Sequence, residues 1–194
     1  MKLLIPLWAR VIPVYIAIAG IIFMPVATKS IRVDRVKTEA VLIERSISKG
    51  PTDSQVSGYP KQILLPSVGI NLLVIDGDYS TSKGWSVSAN AANYATITPK
   101  LNNKNGNTVI YGHDTSRIFK PTENLKVGDK VYIHTDTSKI FSYSYTGDSN
   151  VAPSDTTIFK DPEIGKPRLT LITCSGSLSQ TRRIMNFSFQ GFSK

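Results

Sequence analysis

An all-β domain, a sandwich or a closed barrel of short strands, is what this 194-residue sequence predicts beyond its first sixty residues. Three observations carry that reading. Short apolar runs recur between turn residues: Gln62–Pro66, Ile70–Ile75, Thr108–Tyr111, Leu169–Thr173 and Ile184–Phe189. Two alternating runs, Val131–Thr135 and Ile140–Thr146, are joined by the polar tetrad Asp136-Thr137-Ser138-Lys139, which reads as a hairpin. Phe141, Tyr143 and Tyr145 share one face of the second run, as aromatics on a half-buried sheet do. They predict a core or wall of the sheet.

The chain in order divides into an anchor (1–28), a stalk (29–60) and the β domain (61–194). Leu3–Ala27 is apolar apart from Arg10, and Val11–Ala27 is uncharged. With Arg10 snorkelling to the headgroups, the segment predicts an N-terminal transmembrane helix. Met24-Pro25-Val26-Ala27-Thr28 shows no small-x-small cleavage signal, so an uncleaved anchor is expected over a signal peptide. Basic residues flank the span on both sides, Lys2 and Arg10 before it and Lys29, Arg32, Arg35 and Lys37 after. On their own they favour the opposite orientation to an external domain.

In the stalk, Val36, Ala40, Ile43 and Ile47 fall at helical spacing, which predicts an amphipathic helix over Ile31–Ile47. Ser48–Gly58 contains Lys-Gly-Pro, Asp-Ser and Ser-Gly and predicts a flexible linker. Within the β domain, Trp85–Ile97 is mixed and is expected to include a helical turn. Gly147–Pro167 is expected to be a long connection.

Charge and cysteine content narrow the function classes. Lys and Arg number 23 against 14 Asp and Glu, a formal net charge of +9. Such a surface suits nucleic acid, an anionic membrane or an anionic wall. Finger-type Cys/His spacing and RNP-type aromatic runs are lacking, so no nucleic-acid partner is expected. The single cysteine excludes an intramolecular disulfide framework.

That cysteine, Cys174, ends the strand Leu169–Thr173 and precedes Ser-Gly-Ser, with Arg182 and Arg183 nearby in sequence. A buried small hydrophobe is its ordinary role. Its place at a strand mouth beside cations is instead the setting of an exposed, reactive thiol. Of the two histidines, His134 lies on an alternating strand and reads as a polar outward residue. His113 follows Asn107-Thr108-Val109-Ile110-Tyr111-Gly112, a strand that breaks at glycine, and can project into a cleft. The histidines and the thiol lack short ligand spacing and a fourth ligand, so neither metal nor cofactor is expected.

Four ordered motifs resemble the sortase family of cysteine transpeptidases. They are Gly106-Asn107-Thr108-Val109-Ile110-Tyr111-Gly112-His113; Phe119 and Leu125; Lys126-Val127-Gly128-Asp129; and Thr170-Leu171-Ile172-Thr173-Cys174 followed by an arginine opening the next strand. The likeness extends over roughly Gln62 to Phe189. It implies a closed sortase-type barrel with short helices. It also implies an external domain on the cell membrane, which decides the orientation that charge leaves open.

The resemblance further implies the chemistry. Cys174 would attack a C-terminal sorting signal of the Leu-Pro-x-Thr-Gly type on a surface protein. An amine of a cell-wall precursor or of a pilin would resolve the thioacyl enzyme. His113 would serve the amine as acid and then base, and one arginine would hold the oxyanion or the substrate backbone. Arg182 and Arg183 face opposite sides of a strand, so only one enters the cleft. Arg183, followed directly by Ile184 and Met185, is the expected one and Arg182 the alternative. Thr173 is a candidate for fixing the strand end. Asp114 either orients His113 or, as Asp commonly does, forms the turn.

In sortases the connection corresponding to Gly147–Pro167 helps to build the sorting-signal groove, with Val151, Ala152, Ile158 and Phe159 as its apolar wall here. The stalk lacks the Asp-Pro-aromatic lid motif of pilus-type members, so protein anchoring is expected over pilus assembly. Two other readings stay open: a tethered barrel that binds without catalysis, and a cysteine peptidase that only hydrolyses.

Overall fold

A computed structural model describes residues 24–48, 54–80, 84–159, 166–175 and 180–193. Residues 1–23 of the expected membrane span lie outside the described residues. No helix among the described residues is long and apolar enough to cross a membrane. Helix α1 runs Met24–Ser46 and so passes through the expected anchor–stalk boundary at 28/29.

The strands in order are β1 (Ile47–Ser48), β2 (Ser57–Gly58), β3 (Pro60–Leu65), β4 (Ile70–Gly77), β5 (Tyr79–Ser80), β6 (Gly84–Trp85), β7 (Ala92–Ala95), β8 (Leu101–Asn102), β9 (Asn107–Gly112), β10 (Lys130–Thr135), β11 (Ile140–Val151), β12 (Arg168–Ser175) and β13 (Thr181–Ser193). In the main sheet the order is β1-β13-β11-β10-β3-β4-β7-β9-β12, and β12 also pairs with β13. That last pairing closes eight strands into a barrel, with β1 appended beside the end of β13. Closure removes the free edges an open sheet would expose. The expected closed barrel is what forms.

The interior is filled by inward-facing residues of the alternating strands. Phe141, Tyr143 and Tyr145 are all buried there, beside Ile63, Leu65, Ile110, Ile133, Leu169, Leu171, Met185 and Phe187. Alternation accounts for the choice: Leu169 and Leu171 point inward, whereas Ile172 belongs to a second cluster on the outer face with Val109, Tyr111 and Ile184. A third cluster joins α1 to the barrel. Val36, Ala40 and Ile43 cover Leu64 and Tyr132, which are paired across β3 and β10. The helical spacing read from the stalk therefore marks the face that docks on the barrel.

Three expectations are corrected. The Ser48–Gly58 linker is tied down at its described ends. Ser48 pairs with Phe192, β2 pairs with β8, and the Asn103 side chain accepts from the Val56 amide at 2.9 Å and donates to the Ser54 carbonyl at 3.2 Å. Trp85–Ile97 holds strand β7 rather than a helical turn. The strand from Ile140 does not stop at Thr146 but continues to Val151 through a bulge at Gly147, whose φ of 138° favours glycine. The connection that follows is correspondingly shorter, 152–167.

Candidate active site

Three adjacent strands, β9, β12 and β13, bring the chemistry together. β9 and β12 run parallel with Thr173 opposite Gly112, so His113 and Cys174 are the next residues on neighbouring strands. β12 and β13 run antiparallel with Cys174 directly opposite Arg182. Strand neighbours stand about 4.8 Å apart. The thiol is thus flanked by an imidazole on one side and a guanidinium on the other. All three line one cleft of about 380 Å³. Cys174 and His113 are both half-buried.

Local structure places each group. The Thr173 hydroxyl donates to the Gly112 carbonyl at 3.0 Å, clamping the ends of β12 and β9 one residue before the thiol and the imidazole. A Cβ on Gly112 would lie 2.7 Å from Ile118 and 3.1 Å from the Phe119 ring. Glycine there lets the loop after β9 fold back onto the strand. The Phe119 amide then donates to the His113 carbonyl at 3.2 Å and holds the histidine backbone at the cleft rim. The Asp114 carboxylate lies 3.9 Å from Lys120 Nζ. That contact belongs to the same fold-back.

Arg183, the arginine expected in the cleft, is not there. Adjacent residues of a strand face opposite ways, and the Cys174–Arg182 register turns Arg182 into the cleft. Arg183 turns to the end of the interior face, where its Nε donates to Asp148 Oδ2 at 2.6 Å. Tyr145 donates to the other oxygen of that carboxylate. The Arg183 guanidinium holds the Asp148 carboxyl below its ordinary range.

The cleft walls are mostly apolar. Ile172, Ile184 and Tyr111 form the floor. Trp85 stacks on Phe159 with centroids 4.9 Å apart and meets Tyr111 edge-on at 5.3 Å. The Tyr111 hydroxyl donates to the Ser86 carbonyl at 2.9 Å, and burial raises its pKa. On the 152–167 connection, Asp155 accepts from the Thr157 amide at 2.9 Å and its hydroxyl at 2.6 Å, capping the 3₁₀ turn Thr157–Phe159. That turn presents Ile158 and Phe159 to the cleft. Of the other two expected wall residues, Val151 packs against the outer cluster and Ala152 is exposed. Neither lines the cleft.

Trp85, Val87 and Tyr111 were not singled out from the sequence. Tyr111 sits two residues before His113, and strand alternation, which puts both on one face, was the available signal. For Trp85 no local signal existed, since it arrives from a distant hairpin.

His134 lies elsewhere, on β10 beneath α1, with Nε2 3.9 Å from Glu39 and buried without a hydrogen-bond partner. Burial pushes its pKa down while Glu39 opposes that. The two histidines therefore do not converge on one site.

A closed barrel that aligns a thiol, an imidazole and a guanidinium on three neighbouring strands is suited to acyl transfer through sulfur. The sortase domain model matches residues 63–188, and the chain belongs to the sortase family. It is 28% identical over 143 residues to sortase A of Listeria monocytogenes, a match covering 72% of this chain and 60% of that protein. With sortase A of Streptococcus agalactiae it shares 30% identity over 132 residues, covering 64% of this chain and 50% of the relative. The match thus spans between half and three fifths of the length of these relatives. Among solved structures, Listeria monocytogenes sortase A superposes with a TM-score of 0.56 at 26% identity, covering 72% of this chain and 91% of that one. Sortase E1 of Streptomyces coelicolor, solved with a tripeptide in its active site, reaches 0.58 at 18% identity over 71% and 90%, which speaks to the fold.

Proposed function

We propose that the protein is a cysteine transpeptidase that cleaves a sorting signal of the Leu-Pro-x-Thr-Gly type and joins the released carboxyl end to an amine. The observation that carries this reading is the alignment of His113, Cys174 and Arg182 across β9, β12 and β13 in one cleft. Cys174 Sγ gives its proton to His113 and attacks the scissile carbonyl, forming the C–S bond as the carbonyl π bond opens to an oxyanion. Arg182 donates to the resulting oxyanion from a fixed guanidinium fork. Collapse breaks the C–N bond, and His113 gives its proton to the departing amine. The incoming amine then loses a proton to His113 as it attacks the thioester, and sulfur leaves as thiolate. Ile158, Phe159 and Trp85 offer an apolar wall for the side chains of the signal.

The apolar segment Leu3–Ala27 supports tethering of this domain to the cell membrane, and an external catalytic face follows from the likeness to sortases rather than from the charges that flank the segment. Surface proteins carrying the signal would be the donors, and a cell-wall precursor or a pilin the source of the amine. Incubating the full-length chain with a library of signal peptides, with and without amine acceptors, tests the reaction by product masses. Joined peptide–amine products are expected. Free acids alone in the presence of amine would make the protein a peptidase. Unaltered peptides would leave a binding barrel.

A further inference from the structure

Among the described residues that line the cleft, Asp155 is the one carboxylate, and the acyl transfer itself does not use it. The Leu and Pro of the proposed signal have an apolar wall in Ile158, Phe159 and Trp85. The residue written x in that signal has no partner yet.

Asp155 is held from two sides. Its amide donates to the Ala152 carbonyl at 3.0 Å and closes a turn over Ala152–Asp155, with Pro153 in the second place. Proline suits that place because its φ is already set. Such a turn keeps its first and last Cα atoms within about 7 Å. Ala152 directly follows Val151, which opposes Arg182, and Arg182 opposes Cys174. The turn therefore folds Asp155 back toward the thiol end of the cleft. On its other side the 3₁₀ turn Thr157–Phe159 carries Ile158 and Phe159. Chain order thus sets Asp155 between the reacting end and the apolar wall. A signal laid across the same surfaces has x in that place, between Thr at the thiol and Leu-Pro at the wall.

The carboxylate is also oriented and charged. The Thr157 amide and hydroxyl both donate to Oδ1, and no hydrogen bond among the described residues falls on Oδ2. The Thr157 hydroxyl and then its amide hold the carboxyl below its ordinary range, so it is ionised at neutral pH. General attraction would not favour a cationic signal, because the net charge of +9 repels it. Any preference for a cation must come from a local group.

We propose that Asp155 is a specificity-determining residue that selects a lysine or arginine side chain at the x position of the signal. The proposal deepens the transpeptidase reading and rests on it for the signal itself. An ammonium or guanidinium on a long stem reaches Oδ2 while the peptide backbone stays on the wall. An acidic side chain at x meets repulsion instead, and specificity is the difference between the two.

Peptides containing Leu-Pro-Lys-Thr-Gly, Leu-Pro-Gln-Thr-Gly and Leu-Pro-Glu-Thr-Gly, with identical flanks, test it on the full-length chain. The kcat/KM should favour Lys over Glu about tenfold, with Gln between, as expected when attraction at a partly exposed charge gives way to repulsion. Asp155→Asn keeps an oxygen to cap Thr157 but loses the charge, so the Lys-to-Glu ratio should fall to within about twofold of one. Asp155→Lys should invert the ratio. A Lys moved to a site ahead of the Leu should give no such preference.

A wild-type ratio near one would overturn the proposal, as would a ratio that survives in Asp155→Asn. An equal loss for all three peptides in that variant would reduce Asp155 to a cap on the turn and overturn it too. So would an equal preference for the displaced Lys, which would mark attraction to the surface at large. If no peptide is cleaved, the transpeptidase reading falls and the Kd values of the same peptides, labelled and read by fluorescence anisotropy, decide the proposal. Tightest binding of the Lys peptide and weakest of the Glu peptide would uphold it as a binding preference. Equal Kd values, or no binding, would overturn it.

Discussion

Arg182 and Arg183 differ by one position and by which side of β13 they occupy. Arg182 faces Cys174 across the β12–β13 ladder, so Arg182→Ala should lower acylation about 10²- to 10³-fold, the usual cost of removing one oxyanion donor. Stopped single-turnover assays on intact protein would measure it. A loss below threefold would remove Arg182 from the reaction. The sequence leaves the two arginines open because facing is a matter of register, and the β12–β13 pairing that sets Arg182 opposite Cys174 is not written in the local pattern around either arginine. Cys174 and His113 were legible because each sits at a strand end that local pattern defines.

His134 shows the converse case. Alternation places it outward, but α1 lies over that face and leaves it half-buried. Its folded pKa lies below the ordinary 6.5 through burial, so the unfolded chain takes up the proton first as pH falls. The stability it contributes is therefore present above about pH 6.5 and is lost as pH drops through the lower folded value. His134→Gln should flatten that part of a urea-denaturation profile against pH while leaving peptide turnover unchanged. An identical acid slope in the variant would contradict the assignment.

At the scale of elements, continuous apolar runs proved more informative than alternation. Ile63-Leu64-Leu65 is buried on both faces: Ile63 and Leu65 fill the barrel and Leu64 meets α1. Such a run signals a strand covered twice, and the stalk helix supplies the second cover. Ile43→Ala should then cost about 2–5 kcal/mol of stability, the range for truncating a buried aliphatic. Turnover should be unaffected, because the residues α1 covers do not line the cleft. Calorimetry and peptide kinetics on the same sample would check both halves. The expected linker failed for a related reason. At its described ends the backbone finds partners on β8 and β13 that lie far away in sequence.

At the scale of the molecule, the barrel makes one site from separate stretches of chain. Cys174 and Arg182 lie on the consecutive strands β12 and β13, whereas His113 follows the much earlier β9, and the parallel β9–β12 pairing sets it beside them. The remaining wall, Trp85 on Phe159, joins the two-residue strand β6 to the 152–167 connection, and segments so short or irregular carry the least pattern in a sequence. The central claim is that the acyl group passes through the Cys174 sulfur. Intact-mass spectrometry of the full-length chain, quenched with acid during turnover of a signal peptide, tests this most directly. An added mass equal to the peptide up to its scissile residue is expected, mapped to Cys174 and discharged into a joined product when an amine is supplied. Peptide cleavage without such an adduct, or an adduct that persists in Cys174→Ala, would contradict it.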